Sequence, residues 1–292
     1  MSLFVSQILL PVVLAAIMLA MGLGLSVKDF QRIILQPRAV LLGLLLQIAF
    51  LPLLALAIIT LVPLSPMAAA GLFLVSLCPG GATSNLFSFL ARGDIALSVT
   101  LTGLTSLLSP IILPLAFYSY LAVTADSATT FAVPLITLMK QLALVTLVPV
   151  STGMIIRRMA PSWSNSVQPI VRRIATGAMI AIVFALMATN LNVVQALFSL
   201  NSLAVLLLAT GSLIIAFGIA ARANLNQQQR RTIAIEVGVQ NAGTAMMVAL
   251  AILHTPELAF VPLMYGLFMN LPAFGFLAWL AKRDARQLVA SR

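Results

Sequence analysis

The residues best suited to chemistry in this sequence are a carboxylate and two amides that lie close together inside an apolar stretch. Glu236 is followed by Gln240 and Asn241. Carboxylate, amide and backbone carbonyl oxygens are the donors that hard cations such as sodium prefer. We therefore predict a cation site here, with further oxygen donors in the carbonyl groups that a helix break would free at Val237 and Val239.

A second stretch of small and polar residues interrupts an apolar segment earlier in the chain. Residues 77–85 read Leu-Cys-Pro-Gly-Gly-Ala-Thr-Ser-Asn, and they end on the oxygen donors Ser84 and Asn85. Proline removes a helical hydrogen bond and glycine weakens a helix, so we expect the helix to break here. Ser98 and Thr102 follow at a spacing of four, which puts both hydroxyls on one helix face as further donors.

Two such interruptions in one chain favour a solute carrier. In hydrocarbon each unsatisfied backbone group costs several kcal/mol, so a break is tolerated where the freed groups face an ion, a ligand or water. Paired interrupted helices are typical of a transporter's binding site. Two alternatives stay open: a proline-kinked helix packed through small residues at 77–85, and an ion pair between Glu236 and Arg230 or Arg231.

The composition requires a membrane environment. The chain has 292 residues, of which 62% are hydrophobic and 8% charged, whereas soluble domains have about 25% charged residues. The net charge is +10, but no basic run is interleaved with aromatic residues, so nucleic-acid binding is not expected. The single cysteine, Cys78, excludes an intramolecular disulfide.

Apolar segments of about 20 residues, the length that crosses a bilayer, recur along the chain. We predict an all-α polytopic membrane protein with about nine transmembrane helices. No Lys or Arg precedes the first segment, so it is expected to be a retained membrane helix and not a signal peptide. The predicted spans are 5–25, 38–61, 67–91, 95–122, 131–156, 168–189, 201–221, 228–253 and 258–281.

The positive charges fall on one side of these spans. The loops near Pro63, Asp126, Asn192 and Pro256 contain no Lys or Arg, whereas the alternate loops and the tail contain all 16 except Lys140. Because positive charge stays on the cytoplasmic side, we predict an outside N-terminus and a cytoplasmic C-terminus. The lack of a long N-terminal extension in this sequence leads us to expect a bacterial inner-membrane protein. Lys140 is expected to snorkel to the outer interface or, alternatively, to line a cavity.

The two interrupted spans form an inverted repeat. The span 67–91 runs from outside to inside and the span 228–253 from inside to outside, with an offset of five spans. This divides the chain into halves 1–156 and 157–292. The stretch 157–171 contains two prolines and is expected to be a cytoplasmic loop that joins them.

The interrupted stretches also resemble a known family. Residues 78–85, 90–98 and 235–241 are similar to the corresponding motifs of the bile acid/sodium symporter family, and the chain resembles its bacterial nine-helix form. The resemblance implies a core domain, in which the two discontinuous helices cross, and a panel domain. The core would comprise about 38–122 and 201–281, and the panel about 5–25 and 131–189.

The resemblance also implies two sodium sites and a substrate site. The first sodium site would use Ser84, Asn85, Ser98, Thr102 and Glu236, and the second Gln47, Gln240, Glu236 and the carbonyls of Val237 and Val239. The substrate would be an organic anion, either a bile acid or a smaller carboxylate such as pantoate. Thr83, Asn241 and Asn270 are the residues expected to contact it.

The expected mechanism is sodium-coupled symport by alternating access. Two sodium ions would neutralise Glu236 and order both breaks for the substrate carboxylate. A proton-coupled carrier or antiporter that uses Glu236 is the alternative. An enzyme is not expected, because no paired aspartates, Ser/His pair or His-Glu-x-x-His sequence lies within the spans and the sole histidine, His254, ends one. The lipid bilayer is the expected surrounding, and no obligatory protein partner is expected.

Overall fold

The computed structural model describes residues 5–124, 135–189 and 199–290. Within these ranges every regular element is helical and no strand forms. Seven helices are long and apolar enough to cross a membrane. The all-α polytopic fold is therefore confirmed, whereas the count of about nine spans stays a prediction. The predicted loop positions Asp126 and Asn192 lie outside the described residues.

The helices follow the predicted spans closely. The long ones are α1 (Gln7–Gly24), α2 (Pro37–Leu61), α4 (Ile95–Thr124), α5 (Leu135–Met159), α6 (Pro161–Thr189) and α7 (Leu200–Arg222). The predicted third and eighth spans each form two shorter helices, α3a (Pro66–Ser76) with α3b (Ala82–Leu90) and α8a (Gln227–Gly238) with α8b (Ala242–Ile252). The seventh apolar segment, Pro256–Arg286, falls on a pair of helices, α9a (Phe260–Phe268) and α9b (Asn270–Ala290), which are separated by Met269 alone.

A π-helical turn lies at the start of α1 and inside α2 and α5, and each turn ends two residues before a proline. A proline ring clashes with the carbonyl four residues before it and lacks an N–H, and a π turn relieves this by widening the helix. The turn in α2 contains Gln47, which the predicted second sodium site uses. The three turns are Val5–Leu9 before Pro11, Leu46–Phe50 before Pro52 and Ala143–Leu147 before Pro149.

The two broken helices cross at their breaks. Gly80 and Gln240 form an antiparallel bridge, and the Asn241 N–H donates a hydrogen bond to the Pro79 carbonyl at 2.9 Å. Backbone groups that the breaks release are thus partly satisfied by each other. The crossing that the resemblance implied is present, and α2 and α4 pack around it.

The predicted loop at 157–171 is wrong. Helix α5 continues to Met159 and α6 begins at Pro161, so Ala160 alone connects them. Proline at the first helical position loses no hydrogen bond and has a φ suited to the helix, so Pro161 starts α6 where a loop was expected. Pro169 then lies inside α6.

Helix α1 packs against both α5 and α6. A Cβ atom on Gly153 of α5 would lie 2.6 Å from the Leu19 carbonyl oxygen, so the two backbones are in direct contact. The Ser164 hydroxyl of α6 and the Arg157 guanidinium each donate to the Leu23 carbonyl at 2.9 Å. This group of three helices matches the expected panel, although the domain boundaries stay a prediction.

The basic segments meet at one end of the helix bundle. Gln229 donates to Gln36 at 3.1 Å, which joins the first turn of α8a to the residue that precedes α2. The Asp94 N–H donates to the Gln228 carbonyl, and Arg231 pairs with Asp284 of the tail at 2.5 Å. The segments around these contacts carry the positive charge, in agreement with the one-sided pattern of the sequence.

Candidate functional site

The carboxylate of Glu236 lies at the crossing, in the last turn of α8a. Glu236 is only 3% exposed. The Ser98 hydroxyl donates to Oε1, and the Thr102 hydroxyl donates to Oε2 at 2.8 Å. The spacing of four on α4 therefore directs both hydroxyls to one carboxylate.

The same hydroxyls also face the first half of the crossing. The Asn85 side-chain oxygen of α3b lies 2.7 Å from the Ser98 hydroxyl and 3.4 Å from that of Thr102. The Ser88 hydroxyl also lies 3.2 Å from that of Ser98. Each hydroxyl has one hydrogen to donate and two lone pairs, whereas the two carboxylate oxygens and the Asn85 side-chain oxygen only accept. More oxygen lone pairs than donors converge here, and such an excess suits a cation.

Ser84 completes this oxygen cluster across Gly80. A Cβ atom on Gly80 would collide with Glu236 Oε2 and would lie 3.1 Å from Ser84 Oγ. The two oxygens therefore flank the same backbone atom. Ser84 also accepts the Gly81 N–H at 3.1 Å and donates to the Gly81 carbonyl at 2.7 Å, which fixes the turn that starts α3b. All five residues of the predicted first site are thus brought together.

The pairing of Glu236 with an arginine is excluded by the structure. Arg231 is buried and binds Asp284 at 2.5 Å and the Ala91 carbonyl at 2.8 Å. The Arg230 guanidinium donates to the Leu225 carbonyl at 2.5 Å. Within the described residues no cationic side chain pairs with Glu236, so its burial is compensated by hydroxyls alone.

The residues of the predicted second site also meet. Gln47 donates to the Gln240 side-chain oxygen at 2.7 Å and to the Cys78 carbonyl at 2.9 Å. The Gln240 amide nitrogen in turn lies 2.8 Å from the Val237 carbonyl oxygen and 3.1 Å from that of Glu236. Val239 is buried beside them. The Gln240 amide nitrogen therefore occupies the Val237 carbonyl oxygen, one of the two carbonyls of the predicted second site.

The predicted substrate residues are placed less uniformly. Thr83 is half-buried in the first turn of α3b. Asn241 caps α8b by accepting the Thr244 N–H at 3.3 Å, yet its amide nitrogen is buried without a hydrogen-bond partner. Asn270 directs its amide nitrogen to the Gly266 and Leu267 carbonyls of the preceding helix α9a, at 2.9 and 3.1 Å, so no described contact joins it to the crossing.

Thr244 is a site residue that the sequence reasoning missed. Its hydroxyl is buried and has no hydrogen-bond partner, like the neighbouring Asn241 amide nitrogen. Buried polar groups are almost always paired, so two adjacent unpaired ones mark a position where a ligand or a water molecule could supply the missing partner. The sequence signal that could have found it is the spacing of three between Thr244 and Asn241, which caps α8b.

A cavity of about 500 Å³ leads from Asn85 toward the basic end of the bundle. Asn85 and Ala82 of α3b form one wall, and Met21 of α1 forms part of the other. Arg157 and Arg172 line the cavity as well, and no acidic residue of the described ranges does. Lys140 does not line this cavity; its side chain is exposed on α5.

Comparison with known proteins identifies the family. The profile of the Sodium Bile acid symporter family matches residues 11–197. The chain belongs to this family. Its members are transporters and not enzymes, so the chain is a multi-pass membrane transporter, as the sequence predicted.

Similar proteins come from bacteria, plants and animals. An uncharacterized sodium-dependent transporter of Bacillus subtilis, YocS, is 29% identical over 285 residues, which cover 96% of this chain and 85% of the relative. The probable sodium/metabolite cotransporter BASS1 of Arabidopsis thaliana is 30% identical over an alignment that covers 80% of this chain and 56% of the relative. Sodium/bile acid cotransporter 4 of mouse is 30% identical over an alignment that covers 88% of this chain and 59% of the relative. The chain thus spans little more than half of the last two.

Proposed function

We propose that this transporter is a sodium-coupled symporter of a small organic anion, either a bile acid or a pantoate-like carboxylate. The observation that carries the proposal is the buried carboxylate of Glu236. It lies where two helix breaks cross, among hydroxyl and amide oxygens and without a cationic partner in the described residues. A charge inside a membrane is functional by default, and sodium is the ion that supplies the missing positive charge.

The first sodium ion would bind among Ser84, Asn85, Ser98, Thr102 and Glu236. These side chains come from α3b, α4 and α8a, so one ion would connect three helices. The hydroxyls that now donate to Glu236 can rotate and offer lone pairs to the ion, because a hydroxyl hydrogen is free to turn. A sodium ion at this point would therefore keep all five ligands, with their oxygen atoms moved apart from hydrogen-bond contact to make room for the ion.

The second sodium ion would bind between Gln47 and Gln240. Here the amide nitrogens have to turn away so that the amide oxygens, together with the Val237 and Val239 carbonyls and Glu236, face the ion. The hydrogen bonds of 2.7 to 3.1 Å that these amides make at present hold the donors in position without it. Occupation of this site thus exchanges hydrogen bonds for ion contacts.

The substrate carboxylate would bind beside the crossing, at Thr83, Asn241 and Thr244. The unpaired Asn241 amide nitrogen and Thr244 hydroxyl are the donors that a carboxylate needs. Two sodium ions with a monovalent anion would move one net positive charge per cycle, so a negative-inside potential would drive uptake. Asn270 would contact the substrate only after its amide nitrogen leaves the carbonyls of α9a.

The charge pattern indicates which side of the membrane the cavity opens to. The cavity beside Asn85 opens toward the basic end, which the positive-inside rule assigns to the cytoplasm. The structure would then correspond to an inward-open state of alternating access, with Arg157 and Arg172 attracting the anion as it leaves the binding site for the cytoplasm. This orientation also puts the N-terminus on the outer side of the membrane. The membrane would be the bacterial inner membrane.

A sodium-binding measurement on the purified protein tests the proposal without knowledge of the substrate. We expect sodium chloride, but not equal potassium chloride, to raise the thermal unfolding temperature of the wild type. Glu236→Gln should lose this response, whereas Glu257→Gln, the same change at an exposed residue, should keep it. A wild-type sodium response in Glu236→Gln would contradict the assignment.

Uptake by proteoliposomes then separates the two coupling ions. A carboxylate without a cationic partner is either bound to an ion or protonated, so proton coupling is the specific alternative. Labelled taurocholate and pantoate serve as probes under an inward sodium gradient at equal pH and under an inward proton gradient without sodium. Uptake under the proton gradient but not under the sodium gradient would show that protons, and not sodium ions, are the coupling ions.

A further inference from the structure

A groove of about 820 Å³ lies between α7 and α9b, away from the crossing. Its walls are almost entirely apolar and include Leu213, Ile214, Leu271 and Phe276. Ile214 and Leu271 are more than half exposed, so the groove faces outward from the bundle. On a membrane protein an outward apolar surface faces lipid chains.

One end of the groove has an organised aromatic cluster with a cation. Phe217 meets Phe276 and Trp279 edge to face, with ring centroids 5.5 and 5.4 Å apart. The Arg283 guanidinium carbon lies 5.6 Å from the Phe217 centroid and 5.4 Å from that of Trp279. The rings hold the guanidinium over the groove by cation–π attraction.

A second guanidinium lies near the same end. A Cβ atom on Gly218, which lines the groove, would lie 3.6 Å from Arg222 Nη1. The nearest acidic residue in sequence, Asp284, is engaged on the other side by Arg231 at 2.5 Å and by Gln227 at 3.3 Å. No acidic residue of the described ranges lines the groove. This end is therefore positively charged.

We propose that the groove binds an anionic phospholipid, with an acyl chain between α7 and α9b and the phosphate on Arg283 and Arg222. Tryptophan concentrates at the level of lipid headgroups, so Trp279 marks the depth at which a phosphate would lie. Basic pockets between membrane helices on the cytoplasmic side suit anionic headgroups. The site is distinct from the ion and substrate sites.

A second copy of the chain fits the groove less well. In a two-fold dimer within one membrane both copies point the same way, so both pairs of arginines would meet at the same interface end. Two like-charged clusters repel one another. An anionic headgroup neutralises the same charges, which is why we assign the groove to a lipid.

Trp279 is a built-in reporter for this site. The chain has two tryptophans, and the other, Trp163, is exposed on α6, so Trp163→Phe leaves Trp279 as the sole one. This variant is reconstituted in vesicles with phosphatidylglycerol or phosphatidylcholine brominated on the acyl chain, which quenches nearby tryptophan. We expect the anionic lipid to bind the reporter site at least five-fold more strongly, since each arginine contributes about that factor.

Two pairs of variants separate the headgroup from the chain. Arg283→Gln should reduce the preference for the anionic lipid about five-fold, whereas Arg286→Gln, an exposed arginine outside the groove, should keep it. A Cβ atom on Gly275 or Gly177 would meet nothing within 4 Å. Gly275→Leu, inside the groove, should therefore weaken quenching by both lipids, and Gly177→Leu on α6 should not.

Three results would overturn the proposal. Equal quenching by the two lipids would exclude a selective anionic site. Loss of the anionic preference with inorganic phosphate, but not with chloride at the same ionic strength, would indicate a site for free phosphate. Cross-linking of cysteines placed at position 275 in two chains, at high lipid-to-protein ratio, would assign the groove to a second copy.

Discussion

Gly80→Ala is the substitution that tests the oxygen cluster most directly. The added Cβ would collide with the Glu236 carboxylate oxygen and would approach Ser84 Oγ to 3.1 Å. Because this Cβ would be attached to a packed backbone, the carboxylate has to leave the position in which it accepts hydrogen bonds from Ser98 and Thr102. The variant thus perturbs the proposed first sodium site without removing any ligand.

The size of the effect follows from the overlap. Forcing one extra carbon into a packed site typically costs about 1–3 kcal/mol. If that cost falls on the ion-bound state, the sodium affinity decreases by about 5- to 150-fold. The sodium concentration for half-maximal thermal stabilisation measures the change directly, with potassium chloride keeping the ionic strength constant.

Gly275→Ala is the matched control, because a Cβ there meets nothing within 4 Å. We expect this control to keep the wild-type sodium dependence. A Gly80→Ala protein that is folded and has an unchanged half-maximal sodium concentration would refute the argument that Glu236 and Ser84 face the ion across Gly80. Loss of folding in both variants would instead point to a general intolerance of the helices.

Three further predictions concern other parts of the structure. Thr244→Val should reduce substrate uptake in proteoliposomes at least ten-fold and leave sodium stabilisation intact, because the unpaired hydroxyl faces the proposed substrate; an unchanged uptake would exclude it. Asp284→Ala should lower the free energy of unfolding by about 1–3 kcal/mol, since it leaves buried Arg231 without its charged partner; denaturant unfolding in detergent measures this, and a neutral result would contradict it. Gly153→Ala should destabilise by a similar amount, because its Cβ would lie 2.6 Å from the Leu19 carbonyl oxygen; an unchanged unfolding temperature would show that α1 and α5 can separate at no cost.

The parts of the site that follow local rules were predictable from the sequence. Proline, glycines and polar residues inside an apolar span predict a helix break, and the breaks lie at 77–81 and 239–241. The spacing of Ser98 and Thr102 predicts a shared face, and both hydroxyls contact Glu236. These features depend on helix geometry, which a short stretch of sequence determines.

Features that depend on long-range packing were not predictable in the same way. Proline-rich sequence after Arg157 indicated a loop, but Pro161 starts a helix that Ser164 and Arg157 anchor to the Leu23 carbonyl. The sequence could not show that Arg231 binds Asp284, because the two are far apart along the chain. The unpaired hydroxyl of Thr244 likewise becomes apparent only when its surroundings are known.

The bridge between Gly80 and Gln240 has a thermodynamic consequence. Since the two breaks are hydrogen-bonded to each other, an ion that orders one of them also reduces the conformational entropy left to lose at the other. A second ion would then bind more tightly than the first, with no large movement of either helix. Sodium titrations should accordingly be sigmoidal, with a Hill coefficient above one, and the steepness should depend on the contact between the two breaks.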